Sequence, residues 1–118
     1  MVTRTTNPNF MNGVPELLIL RLLKDNEMYG YELVQAIRVA TNDVVTLGEG
    51  VVYPVLHGLE KEGALKSRRK AVGGRTRVYY SVTAAGQKRL SQLTGVWSKL
   101  NDAVAGALNG GSQVAHLR

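Results

Sequence analysis

Five cations flank one glycine pair: Arg68, Arg69 and Lys70 precede Gly73-Gly74, and Arg75 and Arg77 follow it. Over the wider stretch from Gly63 to Arg89, eight of the chain's fifteen basic residues (Lys66, Arg68, Arg69, Lys70, Arg75, Arg77, Lys88 and Arg89) occur without a single Asp or Glu. A solvated face mixes signs, so an unopposed block of one sign points to a polyanion as partner. Bond-making chemistry is not indicated. There is no cysteine, which removes thiolate catalysis, disulfides and thiol redox sensing, and the two histidines, His57 and His116, form no metal-ligand cluster. No histidine–carboxylate–nucleophile set and no phosphate-binding glycine loop opening a helix is present. We expect no catalytic residue, no metal site and no cofactor.

The elements that hold these cations can be read from spacing. Between Glu49 and Gly63 the apolar residues Val52, Val55, Leu56 and Leu59 make one buried helical stripe. Gly50, Tyr53, Pro54, His57 and Lys61 then fall near the opposite face. Pro54 belongs in a first helical turn, because it lacks an N–H and clashes with the carbonyl four residues back, so the helix is predicted to start near Gly50. Its free N–H groups and Tyr53 would sit at an anion-facing end. Gly63 is predicted to close it. The hairpin follows at once: Leu65, Ser67 and Arg69 alternate with Lys66, Arg68 and Lys70, and Val78, Tyr80 and Val82 with Arg77, Tyr79 and Ser81, while Gly73-Gly74 supplies the positive φ angles of the turn. A helix with an exposed aromatic and basic side, followed by a basic hairpin, predicts a winged helix-turn-helix. The fold class is α+β, mostly α, with a two-stranded β wing.

Upstream, Asn12 or Gly13 is expected to cap a first helix with Pro15 in its opening turn. Its residues Leu17, Leu18, Ile19, Leu20, Leu22 and Leu23 are apolar nearly all round and must be covered on more than one side. A second helix begins near Tyr29, where Gly30 would permit close approach of another helix. The hydroxyls of Tyr29 and Tyr31 either reach phosphate or lie at the surface beside packed rings. Downstream, Thr83 caps a long last helix in which Leu90, Leu93, Trp97, Leu100, Val104 and Ala107 recur at three- and four-residue spacing. That is a short seam suited to pairing two subunits, interrupted by Gly86, Gly95 and Gly106. The organisation expected is a flexible arm over 1–12, a DNA-binding domain over 13–83, a dimerisation helix over 84–108 and a disordered tail over 109–118.

The formal net charge is +6. No apolar run approaches the roughly 20 residues needed to span a bilayer, and the first ten residues lack the apolar core of a signal peptide, so a cytoplasmic location without membrane contact is expected.

Taken together, Leu17-Leu18-Ile19-Leu20, Tyr29-Gly30-Tyr31-Glu32-Leu33, Val52-Tyr53-Pro54-Val55-Leu56, Leu59-Glu60-Lys61-Glu62-Gly63, Gly73-Gly74-Arg75, Tyr79-Tyr80 and Thr83-Ala84-Ala85-Gly86 resemble the PadR-like transcriptional regulators in order and spacing, from Pro15 to Leu93. The single C-terminal helix is similar to that of the smaller PadR subfamily. The resemblance implies a homodimeric repressor of double-stranded DNA with a palindromic operator, released by a small effector. It puts Tyr53 on the recognition-helix tyrosine and Gly73, Gly74 and Arg75 on the wing. It also implies that Trp97, with Leu93 and Leu100, lines a site for a flat aromatic effector between two subunits. The DNA-binding set expected is therefore Tyr29, Gly50, Tyr53, His57, Lys61, Arg68, Arg69, Lys70, Gly73, Gly74, Arg75 and Arg77. The dimerisation set is Leu90, Leu93, Trp97, Leu100 and Val104. Val51, where the family often has threonine, Gly58, where it often has a basic residue, and Glu49 ahead of the helix depart from the pattern. Those three keep open an alternative, a winged-helix module that binds a ligand or protein without reading DNA.

Overall fold

In the computed structural model, which describes residues 12–110, four helices pack with a small three-stranded antiparallel sheet. Helix α1 (Val14–Asp25) starts from Gly13 with Pro15 in its first turn. A two-residue strand β1 (Met28–Tyr29) leads into α2 (Gly30–Ala40), and a connection that includes buried Leu47 leads to α3 (Glu49–Lys61). The hairpin is β2 (Leu65–Val72) and β3 (Arg75–Val82), and α4 (Ala84–Asn109) follows. The strand order is β1-β3-β2. The expected winged helix-turn-helix is present, with one addition: Met28 and Tyr29 pair with Tyr80 and Tyr79, so the wing is anchored by a third, very short strand. Two residues are too few to leave a periodic trace in the sequence. The arm expected over 1–12 and the tail over 109–118 lie outside the described residues, apart from Asn12, Asn109 and Gly110.

Local chemistry accounts for most element ends. Gly63 takes φ 83°, its N–H donates to Glu60 O at 3.0 Å, and the Ala64 N–H donates to Leu59 O at 2.9 Å. This paired closure is the Schellman ending, and glycine meets its left-handed requirement without a Cβ penalty. Gly73 and Gly74 have φ 58° and 79°, the two positive values a two-residue hairpin loop requires. At the start of α4, Thr83 Oγ1 accepts from the Gly86 N–H at 3.1 Å and lies 2.6 Å from the Gly63 carbonyl oxygen, to which its hydroxyl donates. One threonine thus caps α4 and ties it to the end of α3. Pro54 sits in the second turn of α3, one turn later than predicted. The hydrogen bond it forgoes is the one to the carbonyl of Gly50, an exposed residue.

The core is where these elements meet. Ile19, Leu20 and Leu23 of α1, Leu33 and Ile37 of α2, and Val52, Leu56 and Leu59 of α3 are buried together with Leu65, Tyr80 and Leu90. Each such aliphatic side chain contributes on the order of 1.5–3 kcal/mol of burial free energy. Two glycines make close packing possible. A Cβ on Gly30 would lie 2.3 Å from Tyr53 Cζ, so this glycine is where α2 accepts the ring of α3, as the sequence led us to expect. A Cβ on Gly86 would lie 2.0 Å from Ala64 O and 2.8 Å from Val82 Cγ1. The sequence treats Gly86 as a weak point of the helix; in the fold it is the place where α4 presses on the base of the wing.

Helix α4 has 26 residues, about 39 Å at 1.5 Å per residue, and only its first part lies on the body. The molecule is accordingly 67 Å in its longest dimension and 20 Å in its shortest.

Candidate nucleic-acid interface

The register of the wing sorts its side chains onto two faces. Ser67 is opposite Tyr80, Arg69 opposite Val78 and Ala71 opposite Thr76, and this face is turned toward α3. The link is direct, since Ser67 Oγ donates to Glu60 Oε2 at 2.5 Å. Arg68 is opposite Tyr79, Lys70 opposite Arg77 and Val72 opposite Arg75 on the outer face. Directly opposed residues share a face of the sheet, which fixes these assignments.

Between α3 and the wing lies an open cleft of about 820 Å³ lined by Tyr29, Tyr31, Tyr53, His57, Arg75, Thr76, Arg77, Val78 and Tyr80. Of the predicted DNA-binding residues, Gly50, His57 and Lys61 are exposed along α3. Tyr53 is half-buried, not fully outward as its place opposite the apolar stripe suggests, because its ring settles against Gly30. The Tyr53 and His57 rings stand 6.1 Å apart at 45°. Burial raises the Tyr80 hydroxyl above the usual phenol range, with Glu60 adding to the effect, so it stays a neutral donor.

The wing cations are not equivalent. Arg68 Nε donates to Glu27 Oε2 at 2.9 Å and Arg68 Nη2 to Glu27 Oε1 at 2.5 Å, a two-pronged contact. Lys70 Nζ stands 3.4 Å from Glu27 Oε1 and 4.8 Å from the centre of the Tyr79 ring. Hydrogen bonding from Arg68 holds the Glu27 carboxyl down to about pKa 2, with Lys70 contributing. The Arg77 guanidinium lies 4.2 Å over the Tyr29 ring, and Tyr29 meets Tyr79 edge-on at 5.4 Å. Arg89 bridges Glu16 of α1 and Glu62 at the end of α3, the latter at 2.8 Å.

The block that is unopposed in sequence is therefore partly opposed in space. Glu27, Glu16 and Glu62 come from elsewhere in the chain to meet Arg68, Lys70 and Arg89. Among the described residues Lys66, Arg69, Arg75, Arg77 and Lys88 have no carboxylate within ion-pair distance. Of these, Arg69 and Arg75 are exposed on the hairpin, and Arg75 lines the cleft. Glu27 and Thr76 have no part in the sequence reading, and Val78 and Tyr79 enter it only as strand or motif residues; nothing local marks Glu27.

Tyr29 has a structural duty as well. It precedes α2, and its N–H donates to Glu32 Oε1 at 3.2 Å at the start of that helix. Among the departures, Glu49 and Gly58 are exposed and Val51 is exposed as well, so all three lie on the accessible side of α3.

At the other end of the molecule the predicted seam divides. Leu90, placed in the dimerisation set by its spacing, is 5% exposed and packs in the core of its own chain. A helix at 3.6 residues per turn drifts from a strict heptad line, so the start and end of one seam face different neighbours. Leu93 is half-buried, while Trp97, Leu100 and Val104 are 46%, 56% and 49% exposed. With Val14, Leu17 and Val96 they line an apolar groove of about 470 Å³ between the start of α1 and the middle of α4. Among the described residues no helix is long and apolar enough to cross a membrane, and no group of three or more potential ligands is arranged to hold a metal.

Comparison with known proteins accords with this architecture. The profile of the transcriptional regulator PadR-like family matches residues 19–92. The chain is 35% identical over 83 residues to the transcriptional regulator Rv3488 of Mycobacterium tuberculosis, covering 70% of this chain and 75% of that protein. Among solved structures it superimposes on smu.1704 from Streptococcus mutans with a TM-score of 0.76 and 31% identity, over 93% of this chain and 95% of the other. It matches a PadR-like transcriptional regulator from Bacillus cereus with a TM-score of 0.75 and 31% identity, over 86% and 98% of the two chains.

Proposed function

The chain belongs to the PadR-like family of transcriptional regulators, and from that premise we propose that it is a sequence-specific, double-stranded-DNA-binding repressor acting as a homodimer in the cytoplasm. Residues 13–83 form the DNA-binding unit in this reading, and 84–108 the dimerisation helix. The observation that carries it is one cleft lined by Tyr53 and His57 of α3 and by the unpaired Arg75 and Arg77 of the wing, with Gly50 and Lys61 exposed along the same helix and Arg69 exposed on the wing. The start of α3 would enter the major groove, as recognition helices do, with Tyr53 and His57 approaching base edges or backbone. Arg75, Arg77 and the Gly73-Gly74 turn would follow the adjacent phosphates, which position the protein without reading sequence. If Lys61, Arg69, Arg75 and Arg77 each meet one phosphate, a dimer neutralises about eight, and log affinity against log salt has a slope of about −7.

The uncovered apolar strip of α4, Trp97, Leu100 and Val104, supports the dimer, since two such strips would bury one another. A two-fold dimer reads a palindromic operator. The groove beside Trp97, Leu93 and Leu100 supports a flat apolar or aromatic effector. Such a ligand would release DNA by favouring a dimer in which the two recognition helices are differently spaced.

The test is fluorescence anisotropy of the purified protein on DNA from upstream of its own gene and on random DNA, at two salt concentrations. A preference for the upstream fragment that survives the higher salt is expected. Equal and steeply salt-dependent binding to both would overturn sequence-specific regulation at that site. Quenching of Trp97, the only tryptophan, then reads effector binding.

A further inference from the structure

The outer face of the wing carries an arrangement that DNA binding by itself does not require. Glu27 lies just before β1, on the far side of β3 from β2. Its carboxylate nevertheless reaches across the middle strand, where Tyr79 is buried, to engage Arg68 through two hydrogen bonds of 2.9 and 2.5 Å and Lys70 at 3.4 Å. The Glu27 side chain is about one quarter exposed, less than either partner. A guanidinium offering two parallel donors to two oxygens is also the geometry in which arginine holds a phosphate.

We propose that Glu27 is a specificity-determining residue: its carboxylate occupies the positions a phosphate would take on Arg68 and Lys70, and so masks those two cations from polyanions. The proposal rests on the DNA-binding reading above. Non-specific binding to DNA is almost wholly electrostatic, and a loosely held protein reorients so that any exposed cation contributes. Masking two cations per protomer therefore weakens binding to random sequence most. On an operator, contacts from α3 and from the unpaired Arg69, Arg75 and Arg77 fix the orientation, while Arg68 and Lys70, which do not line the cleft, stay on Glu27. Glu27 thus lowers the background against which the operator is found.

The experiment compares wild type with Glu27→Gln, which keeps the shape and one acceptor oxygen but removes the charge. Elution from heparin is read first, because it reports polyanion affinity without any operator. Anisotropy on random and upstream DNA follows. The variant is expected to elute from heparin at higher salt and to bind random DNA about tenfold or more tightly at 0.1 M salt. Its salt slope should steepen by up to about 1.8 per protomer, from two cations at 0.9 each. The ratio of upstream to random affinity should fall. The double variant Arg68→Ala/Lys70→Ala should change heparin elution little in the wild-type background, and it should abolish the gain when combined with Glu27→Gln. Asp102→Asn, a neutralisation on the distant α4, controls for net charge. Unchanged or earlier elution of Glu27→Gln, or a gain that persists without Arg68 and Lys70, overturns masking. A wild type that prefers no DNA sequence would sink the regulator reading, whereas the heparin comparison would still decide whether the cations are masked.

Discussion

Replacing Gly86 by alanine probes the joint on which α4 leaves the wing. A Cβ there would stand 2.0 Å from the Ala64 carbonyl oxygen and 2.8 Å from Val82 Cγ1. Ordinary contact begins near 3.4 Å, so α4 or the Ala64 peptide must shift by about 1.4 Å, and the obstacle is backbone, which has no rotamer to change. The shift pulls on the Ala64 oxygen, which also accepts from the Thr83 N–H at 3.0 Å, and on the Thr83 cap of α4. Overpacking costs about 1–3 kcal/mol, and loss of a threonine cap about 1 kcal/mol. Alanine returns about 1 kcal/mol of helix propensity over glycine. The net expectation is a destabilisation of about 1–3 kcal/mol, which for a domain near this size lowers the Tm by roughly 5–20 °C. Circular-dichroism melts at two protein concentrations are the assay, because a dimer's Tm depends on concentration. Gly95→Ala on the same helix, where nothing lies within 4 Å of the new methyl, should hold or raise the Tm and serves as the control. A Gly86→Ala protein melting at or above wild type would refute the close-approach argument.

Four further outcomes are expected. Gly30→Ala drives a methyl to 2.3 Å from Tyr53 Cζ, the mobile end of a side chain, so stability should change little while the ring swings out and upstream-DNA affinity falls about tenfold, about 1.4 kcal/mol; an equal loss when Tyr53 is already alanine would show that the effect does not pass through the ring. Arg75→Ala should weaken binding to all sequences and flatten the salt slope by about 1 per protomer, whereas Tyr53→Ala should act mainly on upstream DNA; the same factor lost on both DNAs by both variants would deny that division. Leu100→Asp places a charge in the proposed dimer seam and should halve the mass seen by analytical ultracentrifugation, a result that an intact dimer would contradict. The Glu27 carboxyl titrates near 2 when folded against about 4.5 when free, so its stabilisation is complete above pH 4.5 and fades as pH falls toward 2; the Tm difference between wild type and Glu27→Gln should shrink over that window, and a constant difference would mean that the ion pair is not its source.

The sequence by itself determined the features whose causes are local. Gly73-Gly74 demanded a positive-φ turn, Gly63 a helix ending, and Thr83 a cap, because each is a property of one or two residues' backbone or hydroxyl. The stripe of Val52, Leu56 and Leu59 determined which side of α3 is buried, since helical period alone fixes a face. The motifs that resemble the PadR-like regulators rest on these same positions, and the family match extends over them.

Tertiary structure alone decided how charge and apolar surface are apportioned. Arg68, Lys70 and Arg89 read as free cations, yet Glu27, Glu16 and Glu62 meet them across separations of 41, 43, 73 and 27 residues. Leu90 and Leu100 are equivalent members of one seam in sequence, but the first packs in the core and the second is left uncovered. Gly86 reads as a helix weakness until Ala64 O is seen against it. Ion pairs, close approaches and exposure are relations between segments brought together by folding. No periodicity within a segment encodes which other segment will arrive.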